Sequence, residues 1–560
     1  MSSANAKRNK NLPVLIVAAL ILIVLVVGII YELIHQNTPS TERADLGTLY
    51  PVEEGTAAII SNGVLSESRA VWNSQRAYLD LSIVQNELNS RFYWDTAEQL
   101  LVMTTANEVI MAGADTQFEG GPVFLKQEET VYVSLDYVAQ YTNIQVDTYT
   151  NPNRVFLRTQ WGETTTAEVE ETGQVRTEAD VKSPVITEVA PGARFTILEQ
   201  QEDWSTVYTQ DGFVGYMQNS QMTGQETVAD SGPYQAPEYT RTTLNEKVFM
   251  VWHQVFEESG VNSLNSLLEN AQGLNVLAPT WFSIQDEEGN LESRASHEYV
   301  EIAHARGIQI WALVENINIE GVDPEQLLNV TSHRTNLING LMAQAEEYDL
   351  DGINVDLEKL PAGAGEGYIQ FIRELSVACR QRGLVLSVDN YVPSAWTEHY
   401  HRAEQGVVAD YVVVMAYDEH YNGSDAGSTS SLEFVRQGVE DTLAAVPAEK
   451  LICALPFYTR LWTEASGVLT SETVGMNEVE AVLAAHPGAT ETWLPEQAQT
   501  YVYDEAEGGV TYQMWVEDEA SLQEKLNALS SYGLAGIGGW KLGMETDGVW
   551  GIIAAFLSAS

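Results

Sequence analysis

At 560 residues the chain is long enough for three or four domains of ordinary size, and a composition of 44% hydrophobic and 19% charged residues excludes disorder throughout. Its 79 Asp and Glu outweigh 28 Lys and Arg, and a net charge of −51 excludes nucleic acid as a partner, because phosphate backbones repel it. Only two cysteines, Cys379 and Cys453, are present, which excludes a disulfide scaffold and Cys-ligated zinc or iron–sulfur sites.

In chain order, residues 1–11 carry Lys7, Arg8 and Lys10 and read as a cytoplasmic tail. Residues 12–31 are 20 consecutive uncharged positions rich in Ile, Leu and Val. At ~1.5 Å per residue they cross a ~30 Å hydrocarbon core. The run exceeds the ~7–15 residues of a signal-peptide core, and 32–36 offers no small-x-small cleavage site. The expectation is an uncleaved transmembrane signal anchor over 12–34 in the cell membrane of a Gram-positive type envelope, with every later domain extracellular. A polar stalk over 35–57 would follow.

Residues 58–160 contain a weak duplication. Tyr78-Leu79-Asp80-Leu81 followed by Ile83-Val84 recurs 54 residues later as Tyr132-Val133-Ser134-Leu135 followed by Tyr137-Val138. Each copy continues into an alternating stretch, 91–103 and 144–158, which predicts half-buried strands with a short helix after each Tyr-x-x-Leu element. This segment resembles the small α+β domain at the N-terminus of copper amine oxidases. It contains no histidine, so no copper chemistry is carried over. In 167–224, Pro191-Gly192 and Asp211-Gly212 mark turns between short strands, with Trp204, Val207 and Tyr208 as core candidates. The runs 202–207 and 212–216 resemble a bacterial SH3 domain. A Gly-, Pro-, Ser- and Thr-rich linker is expected over 225–245.

From 246 to 560, apolar runs alternate with amphipathic stretches: 248–252, 274–278, 308–314, 352–357, 384–388, 411–415, 451–455 and 536–540. Eight β/α repeats predict a TIM barrel, with an inserted subdomain over 459–532 between strands seven and eight. The fold class is therefore α/β. The fourth run ends Asp351-Gly352-Ile353-Asn354-Val355-Asp356-Leu357-Glu358. With a period of two, Asn354, Asp356 and Glu358 share the interior side. Two carboxylates this close cannot both ionise freely, which keeps one acid protonated for general acid catalysis.

The same segment resembles the D-x-x-D-x-D-x-E signature of family 18 glycoside hydrolases, the chitinases and their relatives, with Asn354 in place of the middle Asp. Met415-Ala416-Tyr417-Asp418 matches the M-x-Y-D motif, 455–460 resembles the P-F-Y-x-R motif, and Trp540 stands at the family's floor tryptophan. Asn354 and the Trp540-x-Leu-Gly ending resemble the spore-cortex N-acetylglucosaminidase branch. The resemblance implies substrate-assisted retaining hydrolysis without metal or organic cofactor. Glu358 would be the acid, Asp356 would orient the 2-acetamido group and Tyr417 would align its carbonyl. Asp418, Trp540, Asn354, Met415, Tyr458 and Arg460 would contact a glycan containing N-acetylglucosamine, in peptidoglycan or in chitin. A non-catalytic glycan-binding scaffold is the contrasting expectation.

Overall fold

A computed structural model describes residues 12–256, 260–317, 321–506 and 508–559. It divides into two bodies, one of residues 1–90 and 114–236, the other of residues 91–113 and 237–560.

In the first body, the helix Leu12–Asn37 is apolar, with a mean hydropathy of 3.4 over Val14–Asn37, and no part of that stretch is buried. It is long enough to cross a membrane and is compatible with an anchor or a signal sequence. The expected stalk is not free. Ala44 N donates to Val185 O (2.9 Å) and Val185 N to Glu42 O (2.7 Å), while Tyr50 is 4% exposed in an apolar cluster with Ile60, Phe156 and Phe213. An unpaired strand edge attracts any extended backbone within reach, and here it takes up the segment that composition marks as polar linker.

The duplicated elements pair with each other. Arg76–Asp80 and Thr130–Ser134 are antiparallel neighbours, with Leu79 opposite Val133, and each runs into a helical turn, Leu81–Ile83 and Leu135–Ala139. They lie in a seven-stranded sheet with Thr56–Ser61, Val64–Asn73, Phe124–Gln127, Gln145–Tyr149 and Arg154–Arg158. A second seven-stranded sheet spans Gly162–Val169 to Met222–Asp230. The latter strand pairs with the former over its length, so the sheet takes in residues 225–230 of the expected linker. Its core is Val169, Val175, Phe195, Val207 and Met217. Alternation along Trp204–Tyr208 sends Ser205 and Val207 inward and leaves Trp204 and Tyr208 half-buried. Tyr208 instead stacks on Phe156 of the first sheet at 3.7 Å.

The second body is a closed barrel. Its strands are β1 (Val248–His253), β2 (Val276–Ile284), β3 (Gln309–Glu315), β4 (Gly352–Asp356), β5 (Val385–Tyr391), β6 (Tyr411–Met415), β7 (Leu451–Pro456) and β8 (Gly536–Trp540). All eight pair in parallel in sequential order, and β8 closes on β1. Parallel strands covered on both faces read as continuous apolar runs, which is why composition alone located them. Parity then sorts the side chains. Val248, Met250, Trp252, Trp311, Leu313 and Val413 fill the interior, while Phe249, Val251, Ile353 and Val355 face the helices. Between β7 and β8 a five-stranded antiparallel sheet runs from Tyr458–Ala465 to Val510–Val516.

Residues 91–113, expected within the N-terminal α+β domain, group with the barrel instead. They form a three-stranded sheet, Phe92–Asp95, Leu100–Thr104 and Val109–Ala112, against the helices Thr331–Tyr348 and Gly365–Arg382. Arg91 shares Glu404 with Arg373 at 2.7 and 2.8 Å, and Thr331 N donates to Asp95 Oδ2 at 2.6 Å. The alternating pattern foretells a half-buried strand without saying against what.

Candidate active site

A cavity of about 450 Å³ lies where β3 to β8 end, lined by Asp356, Glu358, Met415, Tyr417, Asp418, Tyr458 and Trp540 among others. That is the end of the barrel where strand-terminal side chains and loops converge.

The β4 strand delivers its residues as parity requires. Asn354 and Asp356 are buried, at 0% and 5% exposure, on the interior side. Beyond the strand end, Asn316 clamps the Glu358 backbone, accepting from its N–H at 2.8 Å and donating to its carbonyl at 2.9 Å. This pair extends the β3–β4 ladder by one side-chain rung and holds Glu358 toward the cavity. Tyr391, the last residue of β5, donates its hydroxyl to Glu358 Oε2. Burial pushes the Glu358 carboxyl above its ordinary range, and the Tyr391 hydrogen bond opposes that only in part. Asp356 is raised well above its ordinary range, first by burial and then by Glu358, Asp389 and Glu315. The site thus holds protonatable acid and carboxylate side by side near neutral pH.

On the other wall, Asp418 follows β6 in the left-handed region at φ 57°, a conformation Asp tolerates better than most residues. Its Oδ1 accepts from the Tyr458 hydroxyl at 2.6 Å. Trp540 ends β8 with its ring centroid 5.8 Å from that of Trp252. Gly539 precedes it because a Cβ there would meet the Phe457 ring at 2.1 Å.

Two expected substrate contacts lie elsewhere. Asn354 does not line the cavity. Its Oδ1 accepts from Trp252 Nε1 at 3.0 Å, and its amide donates to Ser387 Oγ at 2.9 Å and Asp389 Oδ1 at 2.8 Å, so it is consumed beneath the floor. Arg460 is also outside the lining, 3.7 Å from Asp418 Oδ1, two residues beyond Tyr458 on the strand whose first residue reaches the cavity. Asp351, of opposite parity, accepts from Ile310 N and pairs with His304 Nε2, both at 2.8 Å, and braces the start of β4.

Sequence reasoning missed Glu315, Tyr391, Arg294, Gln254 and Thr280 in the lining and Asp389 beneath it. Glu315 and Asp389 carried the signal that identified Asp356, a carboxylate at or near the C-terminal end of an apolar strand. Glu315 accepts from Ser283 Oγ at 2.7 Å, and Arg294 donates to the same hydroxyl at 3.0 Å. Among the described residues no group of three or more His, Cys, Asp or Glu is placed to hold a metal ion.

Residues 277–545 match glycosyl hydrolases family 18, and residues 171–222 match the bacterial SH3 domain. YdhD of Bacillus subtilis is 28% identical over 264 residues, 45% of this chain and 62% of that protein. The cortical fragment-lytic enzyme of Bacillus subtilis is 25% identical over 260 residues, 44% and 60% respectively. The chain therefore spans about three fifths of these relatives. Among solved structures, the spore cortex-lytic enzyme SleL of Bacillus cereus superposes with a TM-score of 0.50 at 20% identity over 59% of this chain and 76% of that one. A chitinase from Chromobacterium violaceum gives 0.50 at 22% over 56% and 99%. These last two likenesses concern the fold alone. The barrel thus matches glycosyl hydrolases family 18 over residues 277–545, on one chain with a match to the bacterial SH3 domain over residues 171–222.

Proposed function

We propose that this chain is a membrane-anchored extracellular hydrolase that cleaves β-1,4 bonds after N-acetylglucosamine in peptidoglycan. The observation that carries the reading is the raised carboxyl pair Asp356 and Glu358 opening on one cavity with Tyr417, Asp418 and Trp540. Glu358 protonates the leaving glycosidic oxygen. The sugar's own 2-acetamido carbonyl attacks the anomeric carbon, Asp356 accepts from the acetamido N–H and offsets the developing positive charge, and Tyr417 aligns the carbonyl. Trp540 offers its ring to the apolar face of the sugar. The relative named for lysis of cortical fragments supports peptidoglycan as the polymer. The apolar helix and Lys7, Arg8 and Lys10 before it support an anchor with the barrel outside. The SH3 and α+β modules then act as wall-contact or spacer units between anchor and barrel.

The test is digestion of purified peptidoglycan and of chitin oligomers by the full chain in detergent, with products identified by mass spectrometry. Fragments ending in reducing N-acetylglucosamine are expected from peptidoglycan. Co-sedimentation without cleavage would establish the scaffold alternative.

Chitin is the second reading, and Arg294 separates the two. It is the only cation among the described residues that line the cavity, in a chain of net charge −51. De-peptidised peptidoglycan strands carry free lactyl carboxylates and chitin carries none. Arg294→Gln is expected to raise KM for de-peptidised peptidoglycan strands about tenfold, the worth of one charge-assisted hydrogen bond. KM for chitin oligomers should stay within about twofold, since a neutral ligand loses no charge-assisted bond there. An equal loss on both substrates would mean that Arg294 only supports Ser283 and Glu315.

A further inference from the structure

We propose that Asp389 is a positioning residue of this site: it shares one proton with Asp356, so that Asp356 turns a charged oxygen to the cavity while the proton rests on Asp389.

The argument begins with register. The β4–β5 ladder pairs Asn354 with Ser387 and Val355 with Val388, so Asp356 and Asp389 follow as the next neighbours. Parity puts both on the interior side. They are 5% and 2% exposed. The orientation of Asn354 is fixed by chemistry, because the Trp252 indole N–H can only donate. The amide oxygen therefore faces Trp252 and the NH2 faces Ser387 and Asp389, which commits Asp389 Oδ1 as an acceptor. Its other oxygen, Oδ2, and Oδ1 of Asp356 are each buried with no hydrogen-bond partner among the described residues.

Two bare acceptor oxygens on adjacent buried carboxylates are costly. One proton resolves both: it forms an O–H on one oxygen, which the other accepts, and it removes one of two buried like charges. The surrounding titratable groups supply no cation. Glu315 from β3 and Glu358 beyond β4 add negative charge, and the other titratable groups within electrostatic reach, Tyr368, Tyr391, Tyr400 and Tyr417, carry none. Burial pushes the Asp389 carboxyl up, against the Asn354 and Trp252 side-chain donors, and Glu358 adds to the rise. Asn354 also gains a reason. An acid at that position would add a third buried carboxylate, whereas the amide gives Asp389 a donor and leaves the shared proton between Asp389 and Asp356. Moving that proton from Asp356 to Asp389 breaks one O–H bond and forms another, and the pair keeps one proton and one negative charge throughout.

The consequence for turnover rests on the glycosidase reading; the shared proton does not. Infrared spectra of the full chain labelled with 13C-aspartate should show at pH 7 a protonated-carboxyl C=O stretch that moves with the label. Asp389→Asn should remove this band, because its amide donates to Asp356 and holds it ionised; Asp356→Asn should remove the same band. On chitin oligomers or peptidoglycan strands, the kcat/KM profile of Asp389→Asn should lose the limb at which the native pair gives up its shared proton, since the variant has no carboxyl there to titrate. A merely structural role moves neither the band nor the limb. Absence of a label-sensitive band in the native chain overturns the proposal, as does a band that survives both substitutions. If no glycan is hydrolysed, the glycosidase reading fails while the infrared result still decides the shared proton.

Discussion

Glu358→Gln is expected to lower kcat on the cleaved glycan by about 10²- to 10⁴-fold, the usual contribution of a positioned general acid, with KM changed little. The amide keeps an oxygen that accepts from Tyr391 and keeps the shape of the site, but has no acidic proton for the leaving oxygen. The loss therefore belongs to the transition state rather than to binding. Stability should move the other way. Burial raises the Glu358 carboxyl in the folded chain, so its favourable contribution is complete below the unfolded pKa and is lost as pH rises through the folded one. Above the folded pKa the ionised carboxylate is a burden that glutamine lacks, and there the Tm of Glu358→Gln should equal or exceed that of the native chain. A kcat within about tenfold of native would remove Glu358 from the acid role, and a Tm several degrees lower would show that Glu358 supports the fold.

How far the sequence reached can be judged from β4. The apolar runs located all eight strands, because a parallel strand buried on both faces announces itself by composition. A period of two then placed Asn354, Asp356 and Glu358 on one side. Parity could not say how deep each would sit. Asn354 lies within β4 and Glu358 two residues beyond its end, so one is beneath the floor and the other at its rim. Arg460 shows the same limit: it shares the parity of Tyr458 on one strand but stands two residues farther toward the inserted sheet, 3.7 Å from Asp418 Oδ1 and outside the lining. Glu315 and Asp389 went unread although each is a carboxylate just past an identified apolar run, because the run does not show which acid on a neighbouring strand it will face; Tyr391 carried no such signal. The segment 91–113 shows the same limit at larger scale. Alternation reports a half-buried strand, and tertiary contact decides what buries it.

That segment leads to the largest expected stability effect. Arg334 is fully buried on the helix Thr331–Tyr348, facing Glu374 on Gly365–Arg382, with side-chain exposures of 0% and 4%. Its Nε and Nη2 reach the two carboxylate oxygens at 3.1 and 3.0 Å, while Nη1 donates to Leu328 O at 2.8 Å. Gln370 bridges Glu374 to Thr104 at 2.9 Å on each side, and the Tyr93 ring lies 4.8 Å from the guanidinium. The three-stranded sheet is thus tied to the barrel through an ion pair it helps to bury. Removing one member of such a pair leaves the other charged and dry, which costs about 3–5 kcal/mol, whereas replacing both with apolar residues is often nearly neutral. Arg334→Met should therefore lower the unfolding free energy of the barrel by about 3–5 kcal/mol in urea titrations followed by tryptophan fluorescence, and Arg334→Met with Glu374→Leu should recover most of it. The sheet should report the same event, because Tyr93 loses the cation and Thr104 keeps a partner, Gln370, whose own anchor is now an unpaired carboxylate. Protease cleavage within 91–113 is then expected to accelerate in Arg334→Met and to return toward the native rate in the double variant. If the single change costs less than about 1 kcal/mol, Glu374 is reached by water or protonates at no expense, and the sheet is held by its backbone bond from Thr331 to Asp95 rather than by the ion pair.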